Sequence, residues 1–158
     1  MTCLNLGCGN DKKLGCINLD ARQDVQPDVV WNIEQLPFPF PDNYFDEIIA
    51  KDIIEHLPYS KVRPVLKELH RILKPGGKIY IQVPDLEAIF YKIILGIYRD
   101  DFEAISYWVY GGQDYDYNFH KAGFTIIALR KILQLQGFIV DEIHNDGGTN
   151  IMCWARKV

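Results

Sequence analysis

The chain has 158 residues, 48% of them hydrophobic, with 17 Lys and Arg against 21 Asp and Glu for a formal charge of −4. That length and apolar content suit one domain, residues 1–158, with a full core. A mildly acidic chain without a block of Lys or Arg argues against nonspecific nucleic-acid binding, which rests on a dense basic surface, and no apolar run reaches membrane-spanning length.

Taken in chain order, Thr2 to Leu6 is a short apolar strand that starts directly after Met1, so no leader peptide is expected. It runs into Gly7-Cys8-Gly9, and Ile17 to Asp20 forms a second strand that ends in a carboxylate. Glycines let backbone N–H groups approach a ligand closely. An acid at the tip of the next strand can grip the two hydroxyls of a ribose. Asp28 to Ile33 reads as a third strand, and the segment from Leu36 to Asn43, with Pro37, Pro39 and Pro41, cannot be helical. Phe45 to Lys51 is a fourth strand, and the helical turn from Asp52 to Leu57 stops at Pro58.

Ser60 is expected to cap a helix reaching Lys74, with Val62, Val65, Leu66, Leu69, Ile72 and Leu73 at helical spacing, ended by Pro75-Gly76-Gly77. Lys78 to Val83 is a fifth strand, and Asp85 caps a helix whose apolar stripe runs from Leu86 to Ile97. The aromatic, glycine-bearing stretch from Tyr107 to Phe119 reads as a functional loop, since structureless segments of that length are otherwise uncommon. Phe124 to Gln136 is the last helix. Phe138 to His144 and Asn150 to Val158 form a hairpin across Asp146-Gly147-Gly148. Alternating strands and helices favour a covered parallel sheet. Cys3, Cys8, Cys16 and Cys153 make no C-x-x-C pair and have no histidine at zinc spacing. Free thiols in strands behave as small buried hydrophobes, so a reduced cytoplasmic protein without structural metal is expected.

Four elements in register give the chain a family likeness: Leu4-Asn5-Leu6-Gly7-Cys8-Gly9, Leu36 to Asp46 (LPFPFPDNYFD), Glu55-His56-Leu57 and Leu73 to Gly77 (LKPGG). In these it resembles the class I S-adenosylmethionine-dependent methyltransferases, in particular the small bacterial type-11-like members. The resemblance implies an α/β, Rossmann-like sheet of seven mostly parallel strands. It would carry a C-terminal antiparallel hairpin and helices on both faces, with the usual helix before the first strand missing. It also implies S-adenosyl-L-methionine as cofactor. By position, Gly7, Cys8 and Gly9, with Leu6 before them, would wrap its methionine half. Asp20, followed by Ala21, would take the ribose hydroxyls, Asn32 and Ile33 would read the adenine, and Ala50 and Lys51 would lie by the methionine amino group. The link from Gly9 to Ile17 is too short for the usual crossover helix, so the pocket should be open unless the aromatic loop or a second subunit of a homodimer closes it. Lys12 and Lys13 either meet the cofactor carboxylate or sit in a solvated turn.

Methyl transfer needs donor and acceptor held in line, and a hydroxyl acceptor needs a base. His120, after the aromatic loop, is the base of choice, with Asp85 at the ligand-binding edge of the sheet as a second catalytic candidate or simply a helix cap. His56 reads as a packed structural residue and His70 as an outward residue near a helix end. The polar and aromatic loop suits a small-molecule or glycan acceptor, with O-methylation favoured. Two alternatives stand beside it. One is a non-catalytic S-adenosylmethionine-binding subunit. The other is a nicotinamide enzyme, weakened because Lys12 stands where the third glycine of Gly-x-Gly-x-x-Gly would fall.

Overall fold

A computed structural model describes residues 1–158. Seven strands, β1 (Cys3–Leu6), β2 (Cys16–Asp20), β3 (Val29–Val30), β4 (Phe45–Lys51), β5 (Leu73–Pro84), β6 (Phe138–Asn145) and β7 (Asn150–Lys157), form one sheet in the order β3-β2-β1-β4-β5-β7-β6. The pairs from β3 through β5 are parallel, and β7 runs antiparallel to both β5 and β6. The helices are α1 (Tyr59–Ile72), α2 (Leu86–Ile94), α3 (Phe102–Tyr110) and α4 (Ile126–Leu135), with single 3₁₀ turns at Gln23–Val25 and Ile54–His56. The expected mixed sheet and its terminal hairpin are therefore present.

Strand alternation shows where the core lies. Leu4, Ile48, Ile79 and Ala155 stand side by side in one row, and Leu6, Ala50, Ile81 and Cys153 in another, all buried on one face. Against that face pack Val62, Val65, Leu66, Leu69 and Ile72 of α1 and Leu129 and Leu133 of α4. Burying each such aliphatic side chain stabilises by about 1.5–3 kcal/mol before chain entropy is counted. The opposite row tells a different story. Ile49, Tyr80 and Trp154 are only half-buried, and Lys51, Lys78 and Arg156 are exposed. Helical cover along β4, β5 and β7 is thus one-sided rather than two-sided. Right-handed crossovers that move in opposite directions from β1 put their helices on opposite faces. The links from β1 to β2 and from β2 to β3 hold only turns and the 3₁₀ turn at Gln23–Val25.

Several local expectations shift for identifiable reasons. α1 starts at Tyr59 with Pro58 as its N-cap and no side-chain cap bond, so Ser60 is not the cap. β5 begins at Leu73, which already pairs with Phe45, and Pro75-Gly76-Gly77 lies within the strand rather than ending the helix. β3 shrinks to two residues because Asn32 turns the chain: its Oδ1 accepts from Glu34 N–H and its carbonyl accepts from Gln35 N–H. The first four residues of the expected aromatic loop, Tyr107 to Tyr110, are helix. Asp101 caps α3 by accepting from Ala104 N–H, and Gly111, at φ +85°, ends it. The loop proper is 111–119. Cys3 and Cys16, partners in the β1–β2 register, are joined by a disulfide with Cα atoms 4.4 Å apart, against the expectation of four free thiols; Cys8 and Cys153 are free and buried.

The proline-rich link before β4 is anchored by charge. Glu68 of α1 accepts the Phe38 N–H at 2.6 Å, and Arg71 donates to both Glu68 oxygens and to the Phe40 carbonyl. Arg71 holds the Glu68 carboxyl below its usual range.

Candidate active site

Two adjoining cavities open at the carboxyl ends of the parallel strands, beside the β1/β4 switch point where open α/β sheets bind ligands. The first is built mostly from one contiguous stretch of chain. Gly7 and Gly9, at φ +64° and +49°, form its floor in a backbone region that favours glycine. A Cβ on Gly7 would fall 2.5 Å from the Ile53 side chain. One on Gly9 would meet only the Arg22 guanidinium, at 3.8 Å, so that position keeps room for a ligand. Asp20 at the tip of β2 locks the turn: one carboxylate oxygen accepts the Gly9 N–H at 2.8 Å and the other accepts the Arg22 N–H at 2.9 Å. Each oxygen retains a lone pair for a further donor.

Of the residues expected to bind the cofactor, Gly7, Gly9, Asp20, Ala21, Asn32 and Ile33 line this cavity together. Leu6, Cys8 and Ala50 are buried and do not line it, and Lys51 is exposed and outside it. Burial pushes the Cys8 thiol up, with the nearby Asp20 charge adding to it. Lys12 donates to the Gln26 carbonyl, and Lys13 pairs with Asp11 at 2.8 Å. Neither lines the cavity.

The same lining includes Arg22, Trp31, Asp52 and His56, which sequence reasoning missed, and Tyr115 and Tyr117 of the aromatic loop, which it reserved for the acceptor. The Arg22 guanidinium stacks over the Tyr115 ring at 4.4 Å, so the aromatic loop reaches across to the β2 side. Of the two closures the sequence left open, the aromatic loop supplies one by roofing this pocket, whose volume is about 90 Å³. Ligand pockets usually hold about 300–1,000 Å³.

The second cavity, about 300 Å³, is assembled from distant segments: Asp52, Glu55, Trp108, Tyr115, Asn118 and His120 among others. Asp52, His56 and Tyr115 line both cavities and form the shared wall. Lys121 and Ala122 donate their N–H groups to the Glu55 carbonyl, which fixes the end of the aromatic loop against the 3₁₀ turn. His56 Nδ1 lies 3.0 Å from the Phe119 carbonyl and His120 Nδ1 lies 3.2 Å from the Trp108 carbonyl. A carbonyl only accepts, so each Nδ1 carries the proton and each Nε2 presents a lone pair. Burial lowers the pKa of both imidazoles. Burial also raises the Asp52 pKa and pushes Glu55 up to about 8.

His56, expected to be structural, thus faces both cavities. His70 packs edge-on against Phe138 at 5.1 Å and is half-buried. Both Asp85 oxygens are engaged: one caps α2 through the Glu87 and Ala88 N–H groups, and the other accepts the Asn145 amide at 2.9 Å. It is 4% exposed and lines neither cavity, so its geometry is that of a cap.

Comparison with known proteins agrees with this fold. Residues 17–81 match a family model described as a methyltransferase domain. Over 43 residues the chain is 42% identical to the ubiquinone/menaquinone biosynthesis C-methyltransferase UbiE of Chromobacterium violaceum, covering 27% of this chain and 17% of that protein. Over 48 residues it is 35% identical to phosphoethanolamine N-methyltransferase 2 of Caenorhabditis elegans, covering 30% and 10% respectively. The chain therefore spans only a small part of these curated relatives. Among solved structures, an S-adenosylmethionine-dependent methyltransferase of Methanosarcina mazei superposes with TM-score 0.70 at 20% identity, covering 99% of this chain and 92% of that one. A Burkholderia thailandensis 1,6-didemethyltoxoflavin N1-methyltransferase, solved with its acceptor and S-adenosylhomocysteine, gives 0.68 at 16% identity, covering 99% and 71%.

The fold is that of a class I methyltransferase domain. Together with the match over residues 17–81, the fold likeness points to S-adenosylmethionine-dependent members of that class as the proteins this chain is similar to.

Proposed function

We propose that the protein transfers a methyl group from S-adenosylmethionine to a hydroxyl of a small-molecule or glycan acceptor. The observation that carries this reading is the wall shared by the two cavities, Asp52, His56 and Tyr115, which sets a nucleoside-type cleft directly beside a polar chamber. S-adenosylmethionine supplies an electrophilic methyl group on a sulfonium. Asp20 would receive the ribose hydroxyls on its free lone pairs, and the Gly7–Gly9 turn would admit the methionine half. Asn32 would meet the adenine amine with the second lone pair of Oδ1, the first being given to Glu34 N–H. The acceptor would enter the chamber lined by Trp108, Asn118 and His120. His120 Nε2 would take its hydroxyl proton as the oxygen attacks the methyl carbon and the carbon–sulfur bond breaks.

The roofed cleft implies a gate. Tyr115 and Tyr117 must swing out to admit a nucleoside and can then return to exclude water. A loop that closes the cleft makes a second subunit unnecessary as a roof. No helix is long and apolar enough to cross a membrane. The experiment is a titration with S-adenosylhomocysteine followed by a methyl-release assay over a panel of hydroxyl, amine and thiol acceptors. Micromolar binding with turnover on a hydroxyl compound is expected. Binding without turnover on any acceptor would favour the non-catalytic subunit, and turnover confined to amines would overturn O-methylation.

A further inference from the structure

The chamber holds a donor set that proton transfer alone does not require. One atom each of Glu55, His56 and His120 lie within 4.8 Å of one another. The two imidazole rings face each other edge-on at 5.1 Å between centroids, and His56 Nε2 lies 4.0 Å from a Glu55 oxygen. Both rings are held from behind by backbone carbonyls, at 3.0 Å from Phe119 and 3.2 Å from Trp108, which leaves both Nε2 lone pairs forward. Such a carbonyl behind each ring is the arrangement that orients metal-ligating histidines and raises their basicity.

The second observation is independent of the rings. Glu55 is 2% exposed, and its Oε2 is a buried side-chain polar atom without a hydrogen-bond partner. An orphan carboxylate oxygen costs free energy unless something meets it. The nearby donors are the two imidazoles, whose forward nitrogens can only accept when neutral. A cation held by the Glu55 carboxylate and both forward imidazole nitrogens would meet this buried, incompletely paired acid.

We propose that Glu55, His56 and His120 bind a divalent first-row transition-metal ion at the base of the acceptor chamber. Two imidazole nitrogens and one carboxylate oxygen suit such an ion better than Mg²⁺ or Ca²⁺, which take oxygen ligands. Three protein ligands leave a coordination position open toward the chamber, as at a catalytic rather than a structural site. Bonds of about 2.0–2.2 Å would draw the three donor atoms to about 3–3.5 Å from one another. Side-chain rotation in the 3₁₀ turn and loop end can provide that contraction. Asp52, one 3₁₀ turn earlier and lining the same chamber, adds negative charge beside the ion.

The proposal deepens the methyltransferase reading and rests on its assignment of the second cavity. An acceptor hydroxyl on the open position would be oriented toward the cofactor cleft and acidified by the ion. With the ion bound, its acidifying effect takes over the role that His120 Nε2 has as base in the metal-free protein, and the proton passes to solvent; removing His120 lowers turnover in either case. The site thereby selects acceptors with a hydroxyl able to coordinate.

Tag-free, chelator-stripped protein titrated with Zn²⁺ alone by calorimetry should show one site. Co²⁺ alone should give visible absorption bands characteristic of mixed nitrogen and oxygen ligands. Glu55→Gln, His56→Ala and His120→Ala should each weaken Zn²⁺ binding at least tenfold, while His144→Ala, at an exposed histidine outside the chamber, should leave it unchanged. Circular dichroism melts show which variants remain folded, and the near-isosteric Glu55→Gln keeps the test available if a histidine variant unfolds. Absence of a stoichiometric Zn²⁺ site, or binding indifferent to Glu55→Gln and His120→Ala, overturns the proposal. S-adenosylhomocysteine affinity of the stripped protein reads the cofactor assignment separately. If it is retained while Zn²⁺ fails to bind, the metal site alone falls. If Zn²⁺ binds and the homocysteine ligand does not, the metal site stands and the methyltransferase reading falls.

Discussion

The cofactor cleft and the acceptor chamber share a wall but are made in opposite ways. The cleft is mainly a product of backbone: a glycine turn at positive φ, locked by an aspartate that accepts two main-chain N–H groups within the same thirty-residue stretch. The chamber is a product of side chains brought from β4's end, α3 and the loop at 111–119, with Glu55 and Lys121 meeting across the sequence. Backbone geometry tolerates little variation and is specified locally. Side-chain constellations depend on packing between elements that are remote in the chain. The contrast predicts that damage to the cleft should abolish cofactor binding, whereas damage to the chamber should spare binding and stop chemistry.

The largest effect should come from Gly9→Val. A branched residue at φ +49° is strained and fills the space kept for the ligand, so S-adenosylhomocysteine binding should vanish while the circular dichroism spectrum persists. Normal occupancy in that variant would misplace the turn. Next is His120→Ala, expected to lower turnover about 10²–10⁴-fold with cofactor affinity nearly unchanged. A matching drop in affinity would merge the two regions that the contrast separates. Asp20→Ala should weaken cofactor binding by about 1.5–3 kcal/mol, the value of hydrogen bonds to a charged acceptor, and calorimetry measures it directly.

A smaller effect lies outside both regions. Glu68→Gln should destabilise the fold by about 1–2 kcal/mol by weakening the Arg71 and Phe38 bonds that pin the proline-rich link. Arg71 depresses the Glu68 pKa in the folded state. The stabilisation is therefore complete above the unfolded carboxyl value of about 4.3 and lost as pH falls through the lower folded value. Urea melts of both proteins should converge on acidification. Tyr115→Ala should have the mildest thermodynamic effect, about 0.5–1 kcal/mol from the lost Arg22 stacking, yet it should speed association of S-adenosylhomocysteine in stopped flow by opening the roof. An unchanged rate would mean that Tyr115 is not the gate.

The same division explains what could be read from sequence. The turn at Gly7 to Gly9, the acid at Asp20 and the pair Asn32–Ile33 are local patterns, and they do converge on one cavity. β4 matches its expected limits at Phe45 and Lys51, where an apolar run lies between the proline-rich link and the 3₁₀ turn. What sequence reading missed is tertiary. His56 looked structural because nothing local reveals that Phe119, sixty-three positions away, orients its ring. The cap role of Asp85 was legible beside its place at the sheet edge, whereas the Asn145 amide that engages its second oxygen arrives from β6 and was not. The Asp101 cap that makes α3 a helix was a legible signal, obscured by the aromatic and glycine content that follows it. The Cys3–Cys16 bond depends on the β1–β2 register, which spacing alone does not give.

The central claim, that a backbone-built cofactor cleft and a side-chain-built acceptor chamber work independently, is tested most directly by calorimetry. S-adenosylhomocysteine would be titrated into the wild-type protein, Asp20→Ala and His120→Ala under identical conditions. The account predicts micromolar binding to the wild type, a loss of about tenfold or more in Asp20→Ala, and wild-type affinity in His120→Ala. Equal affinities across all three, or a loss in His120→Ala as large as in Asp20→Ala, would contradict it.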